Sequence, residues 1–338
     1  MLNSIQALRA LAAWLVVAHH YMQVVYSFKL TDPISESLRV YGAIGVDLFF
    51  VISGFVIYLS SNGKPISPAL FAAHRIARIV PAYWLFTLLT AATLIVLPGT
   101  VPLTQYDTTF LLKSLVFIPA LNPSGIGAAP LLTVGWTLNY EVIFYGAFML
   151  SLFLKSKYRL LALIASIICL CLIAPIIGGV FNFYANTIIY EFLFGVSIAC
   201  IYKKGFLTGI NCISAVTITL AAVIAIVIFG QVVHSPFKSG IPCAMIIIAA
   251  ISQENHFRRT SILQKLGDWS YSTYLCHILV ISYILKLQNH FNIDPLLTAL
   301  LSVALIIAIS AASYKLIEKP ISTLAKSRPI GDSIDRTT

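Results

Sequence analysis

The sequence predicts an all-α integral membrane protein, a bundle of about ten transmembrane helices with both termini in the cytoplasm. Three observations carry that prediction. Of 338 residues, 59% are apolar and only 10% are charged, whereas a soluble domain carries about 25% charged side chains. The apolar residues fall into blocks of about 20, the length a helix needs to cross a hydrocarbon core of about 30 Å at 1.5 Å per residue. The basic residues, finally, sit between those blocks and are unevenly shared by the two sides.

Taken in order, apolar runs between polar breaks place helices at 4–26, 42–61, 79–98, 130–154, 159–178, 183–202, 207–230, 240–253, 268–287 and 296–318. The first run contains Arg9 and has no charged leader or A-x-A cleavage site, so it is expected to stay as the first helix. The stretch 240–253 is short for a span, and 108–121 reads as a half-inserted or surface helix. The connection 99–129, broken by Pro102, Pro119 and Pro123, is expected to be irregular and to pack over the mouth of the helices. Pro320 is expected to stop the last helix. Residues 1–320 thus read as one transmembrane domain and 321–338 as a polar cytoplasmic tail.

With the N-terminus inside, the inner segments hold Lys64, Arg75, Arg78, Lys155, Lys157, Arg159, Lys203, Lys204, Arg258, Arg259, Lys265, Lys319, Lys326, Arg328 and Arg336. The outer loops hold only Lys29, Arg39, Lys113, Lys238 and Lys286. Fifteen against five follows the positive-inside rule and sets both termini in the cytoplasm. The formal charge of +10 is therefore spread over loops and forms no basic stripe, which argues against nucleic acid as a partner. The six cysteines lie in or beside apolar runs without paired C-x-x-C spacing, so no metal site is expected.

Ionisable side chains inside spanning helices are costly and usually mark a functional pathway. Arg9 and His20 are eleven residues apart, about three turns, and project from one face of the first helix about 16 Å apart. His20 suits a general base, because imidazole titrates near neutrality; hydrogen-bonded glue between helices is the alternative. Asp47, near the outer end of the second helix, lies at a similar depth and could orient His20, or could cap its own helix. Arg75 and Arg78 stand at i, i+3, where two guanidinium forks suit phosphate oxygens, or else simply anchor the inner surface. Glu141 shares a face with Thr137 and Tyr145 in Trp136-Thr137-Leu138-Asn139-Tyr140-Glu141, and Ser270, Tyr274 and His277 form another polar stripe. Glu141 is expected to share the proton relay or to hold helices together; Trp136, Tyr145, Tyr274 and His277 are expected to line the substrate path. Glu318 is expected to be structural, and Glu191 is a further buried acid of open role.

The order of these motifs is more specific than any one of them: I-Q-A-L-R-A-L-A-A before His20, then G-V-D-L-F-F-V-I-S-G-F, R-x-x-R-I-x-P-x-Y-W, W-x-L-x-x-E-x-x-F-Y, S-Y-S-x-Y-L-x-H and E-K-P. From Ile5 to Pro320 the chain resembles acyltransferase family 3, and its opening is similar to bacterial exopolysaccharide and O-antigen acetyltransferases. The resemblance implies a ten-helix bundle in a bacterial inner membrane that moves an acyl group, usually acetyl, from cytoplasmic acyl-coenzyme A to a hydroxyl of an envelope glycan. It implies His20 as the helix-one histidine, with His19 in a position usually apolar or aromatic. It also implies Arg75 and Arg78 as the arginine pair and Glu141 as the helix-four acid. Arg9, Arg75 and Arg78 are then expected to bind acyl-coenzyme A, and His20, Asp47 and Glu141 to carry catalysis. The expected partners are lipids, the carbohydrate acceptor, and a second copy or polysaccharide-assembly proteins.

A transporter or flippase using the same buried charges is the competing reading, but the inverted repeats and paired broken helices typical of such proteins are not visible. A noncatalytic subunit of a polysaccharide machine is the third. Binding of coenzyme A argues against both.

Overall fold

The computed structural model describes residues 1–61, 66–259 and 261–327. Its helices are α1 Asn3–Tyr26, α2 Pro33–Tyr41, α3 Ile44–Ser61, α4 Pro68–Val96, α5 Thr108–Leu115, α6 Trp136–Ser151 and α7 Ser156–Ile177. There follow α8 Tyr190–Lys203, α9 Cys212–Phe229, α10 Ile241–Ser252, α11 Ser261–Phe291, α12 Pro295–Ser313 and α13 Lys319–Ser327. Every one of the ten stretches expected from the sequence contains a helix. Three helices open on the same device: Asp32 before Pro33, Ser67 before Pro68 and Asp294 before Pro295. Each of those side chains accepts from backbone N–H groups of the first turn, while proline occupies a position that needs no N–H.

Packing sorts the helices into a centre and a shell. α1 lies along α11 more extensively than any other pair touches, and α3 lies against α8. The second contact depends on reciprocal glycines: a Cβ on Gly54 would stand 2.0 Å from the Phe192 carbonyl oxygen, and one on Gly195 would stand 1.9 Å from that of Val51. Backbones that approach so closely gain dispersion contacts that lipid cannot replace, the usual basis of helix association in membranes. α7, α9 and α12 instead turn Leu172, Ile176, Ile213, Ile228 and Leu296 outward.

Five helical stretches are long and apolar enough to cross a membrane: Pro33–Ser61, Pro68–Val96, Ser156–Ile177, Cys212–Phe229 and Pro295–Ser327. A bent pair, Gly179–Ala185 with Thr187–Lys203, makes a sixth if counted as one span. α1 and α11 have the length but carry too many polar residues, which their central position shelters from lipid. α6 and α10 are shorter, at 16 and 12 residues.

Several boundaries differ from the sequence expectation. α4 starts at Pro68 and not at 79, so Arg75 and Arg78 belong to its second and third turns. Residues 183–189 are 3₁₀ turns, and α8 itself begins at Tyr190. Pro320 does not stop the chain's last helix. A π turn at Tyr314–Glu318 leads into α13, where Pro320 sits in the first turn and has no N–H to lose. The expected tail therefore begins as helix through Ser327 and packs on α4; Lys64, Arg328, Arg336 and the rest of the tail lie outside the described residues. The 99–129 connection contains α5 and is tied down: Tyr83 Oη donates to Ser114 O (3.0 Å) and Trp84 Nε1 to Leu115 O (2.8 Å).

Candidate active site

Between α1, α3, α4, α6 and α11 lies a cavity that opens to solvent. Arg9, Arg75 and Arg78 line it where α1 and α4 begin, and Thr137, Tyr274 and Phe49 line the other end, where α6 begins. Glu141 and Tyr145 stand between. Arg9, Arg75, Arg78, Glu141, Tyr145 and Tyr274, singled out from four separate motifs, thus share one space. Arg9 is 7% exposed and is held by Gln6, whose Oε1 accepts from Nη1 at 3.2 Å and whose Nε2 donates to Asp268. Arg75 stacks its guanidinium over Phe71 and Tyr145 at 5.5 and 5.8 Å, and its Nε is buried without a hydrogen-bond partner among the described residues. None of the three arginines meets a carboxylate within 4.0 Å among the described residues. Arg9 is buried and Arg75 and Arg78 are half-buried, with Glu141, Asp268 and Glu318 in electrostatic range but none in contact; three cations drawn this far from water without a contact partner suit an anion. Glu141 is engaged otherwise: Tyr145 Oη and Ser53 Oγ (3.2 Å) both donate to its Oε1.

Beyond the α6 end of this cavity stands a pair of histidines. Tyr274 donates to Val134 O (2.8 Å), contacts Thr137 Oγ1 (3.0 Å) and sets its ring 6.0 Å from that of His277. His20 Nδ1 is 2.9 Å from His277 Nε2, and His277 Nδ1 is 3.2 Å from the carbonyl oxygen of Thr273. A carbonyl can only accept, so in neutral His277 the proton is on Nδ1 and Nε2 is a lone pair. That lone pair takes the Nδ1–H of His20. His20 Nε2 is left as a lone pair, the state a general base requires.

The structure gives Asp47 to another histidine. Gly45 faces α1, since a Cβ there would meet Ala12 O at 2.2 Å. Two residues on, about 200° around the helix, Asp47 points away from α1 and from His20. Its Oδ2 accepts from His234 Nδ1 at 2.9 Å and its Oδ1 from Ser239 Oγ at 2.6 Å. Trp136 packs by His234, ring centroids 5.6 Å apart, and not in the wall of the arginine cavity. The expected Asp47 or Glu141 partner of His20 is therefore His277, and Trp136 belongs with His234. Gln6 could have been found from its i−3 position to Arg9. His234 and Ser239 lie in a connection without periodicity, and nothing local marks them.

A family model described as an acyltransferase domain matches residues 2–315. The chain belongs to the acyltransferase 3 family. Among relatives, the exopolysaccharide production protein ExoZ of Rhizobium meliloti is 31% identical over 86% of this chain and 92% of its own. Acyltransferase MdmB of Streptomyces mycarofaciens is 27% identical over 100% and 96%. The putative peptidoglycan O-acetyltransferase YrhL of Bacillus subtilis is 26% identical over 83% of this chain and 51% of its own length. No solved structure matches. This acyltransferase 3 member is a multi-pass membrane enzyme of the O-acyltransferase type; its arginines line the cavity, and its histidine pair lies beyond Tyr274, outside the cavity wall.

Proposed function

We propose that the enzyme moves an acetyl group from cytoplasmic acetyl-coenzyme A to a hydroxyl of an exported or envelope polysaccharide, in a bacterial inner membrane. The observation that carries this reading is the convergence of Arg9, Arg75 and Arg78, none with a carboxylate within 4.0 Å among the described residues, on one cavity. Guanidinium forks match phosphate oxygens, and coenzyme A is a phosphate-rich carrier whose acyl end can extend away from its phosphates. The relatives named for exopolysaccharide production and peptidoglycan O-acetylation support a carbohydrate acceptor.

In this reading the phosphates rest at the α1 and α4 end, on the cytoplasmic side, with both termini inside and ten helices crossing. The thioester reaches past Phe49 and Tyr274 toward His20. His20 Nε2 takes the proton of the acceptor hydroxyl, whose oxygen attacks the thioester carbonyl as the coenzyme A sulfur departs. His277 fixes the tautomer that makes this possible. Membranes holding the wild type are expected to move label from radiolabelled acetyl-coenzyme A into envelope glycan, and membranes holding Arg75→Ala/Arg78→Ala or His20→Ala are not. Absence of incorporation by wild type with acetyl, succinyl and longer donors would favour a transporter.

A further inference from the structure

Asp47 and His234 form a second oriented imidazole that the transfer chemistry leaves unused. Asp47 is completely buried; its oxygens accept from His234 and Ser239, and the equally buried Glu191 lies beside it within hydrogen-bonding range. Two buried acids this close hold one negative charge between them; with that charge on Asp47, which faces two donors, Asp47 can only accept, so His234 carries its proton on Nδ1 and presents Nε2 as a hydrogen-bond acceptor. The His234 side chain is 23% exposed, unlike the aspartate behind it. Its backbone holds a left-handed φ of 52°, unusual for a residue with a side chain and costing about 1 kcal/mol or more. Two links hold that backbone: Val232 N donates to Val40 O at 3.1 Å, and Ser235 N donates to Ser239 Oγ at 3.1 Å. Trp136 adds a half-buried indole beside the ring. His19 stands between the two centres, 5.4 Å from His20 by ring centroids and within electrostatic range of His234.

We propose that His234, oriented by Asp47 and flanked by Trp136, is an acceptor subsite that anchors a non-reacting hydroxyl of the carbohydrate. An imidazole acceptor beside an apolar aromatic surface is suited to a sugar, which offers O–H donors at its edge and C–H groups on its face. With His20 reserved for the reacting hydroxyl, a second fixed acceptor in the same half of the bundle selects which hydroxyl of the sugar is acylated. The inference rests on the acyl-transfer reading and adds to it a determinant of position on the sugar.

The test uses the purified full-length protein in lipid nanodiscs, radiolabelled acetyl-coenzyme A, and the envelope polysaccharide of the producing cell stripped of O-acyl groups by mild alkali. His234→Gln is expected to raise the polysaccharide concentration for half-maximal rate about tenfold, the loss of one good hydrogen bond, with coenzyme A affinity unchanged. Asp47→Asn is expected to do the same, because an amide N–H facing Nδ1 moves the ring proton to Nε2. The double variant is expected to be no worse than either single one. Magnetic resonance of the product should show acetyl spread over more than one hydroxyl in both single variants. Unchanged half-saturation and unchanged acetyl position in His234→Gln, with the wild type active, overturn the subsite alone. A parallel loss of coenzyme A affinity also overturns it, as the dyad is then a scaffold. A wild type that transfers nothing overturns the acyl-transfer reading and the subsite with it.

Discussion

The α1–α11 pair and the shell formed by α7 and α9 are all built from helices of 18 residues or more, but with opposite logic. α1 and α11 carry Gln6, Arg9, His20, Asp268, Ser270, Tyr274 and His277 along surfaces enclosed by other helices. α7 and α9 bury little and are apolar nearly all round. Water-loving groups are tolerable in a membrane only where protein supplies their partners, so polarity in this chain is a record of distance from lipid. The comparison teaches that the helices least like transmembrane spans by hydropathy are the ones that hold the chemistry.

The contrast can be broken most severely at its centre. Replacing His20 by alanine removes the only lone pair offered by the His20–His277 pair, and transfer activity should fall by about 10²- to 10⁴-fold at unchanged protein level. Near-wild-type turnover in that variant would falsify the base assignment. His277→Gln sharpens the same point, because a loss of activity accompanied by an altered pH profile separates tautomer control from mere packing.

A smaller effect is expected at the donor end. Each of Arg75→Ala and Arg78→Ala should raise the donor KM by roughly 10- to 100-fold, the worth of a charge-assisted hydrogen bond, with a smaller change in kcat. Equal losses in kcat and no change in KM would place the arginines outside donor binding. Gly195→Ala probes packing and not chemistry: its added Cβ collides with the Val51 carbonyl oxygen, so folded protein should fall by an amount equivalent to about 1–3 kcal/mol. Detergent-solubilised protein with a wild-type melting temperature would show that α3 and α8 can separate. The smallest effect belongs to the shell. Cys169→Ser and Cys212→Ser alter exposed positions with no role in either centre, and activity and melting temperature should both match the wild type.

Much of this architecture was legible beforehand, for identifiable reasons. The ten helical stretches follow from runs of apolar residues, which are local, and the caps Asp32, Ser67 and Asp294 act on their own first turns. The arginine end of the cavity was legible because Arg75 and Arg78 share one helix face by spacing alone. The partner of His20 was not. Depth along a helix is a matter of counting residues, and it put Asp47 level with His20. Direction around a helix is set by the face that packs, and here Gly45 commits that face of α3 to α1 and turns Asp47 toward His234.

By itself, then, the sequence determined that the protein is helical and made for a bilayer, where its helices lie, and which side chains are too polar to face lipid, because each of these is decided by composition over one or two turns. Only the tertiary structure decided which of those side chains meet. It joined His20 to His277 across 257 positions and Asp47 to His234 across 187, because contacts between helices are chosen by small residues that let backbones approach and not by proximity along the chain.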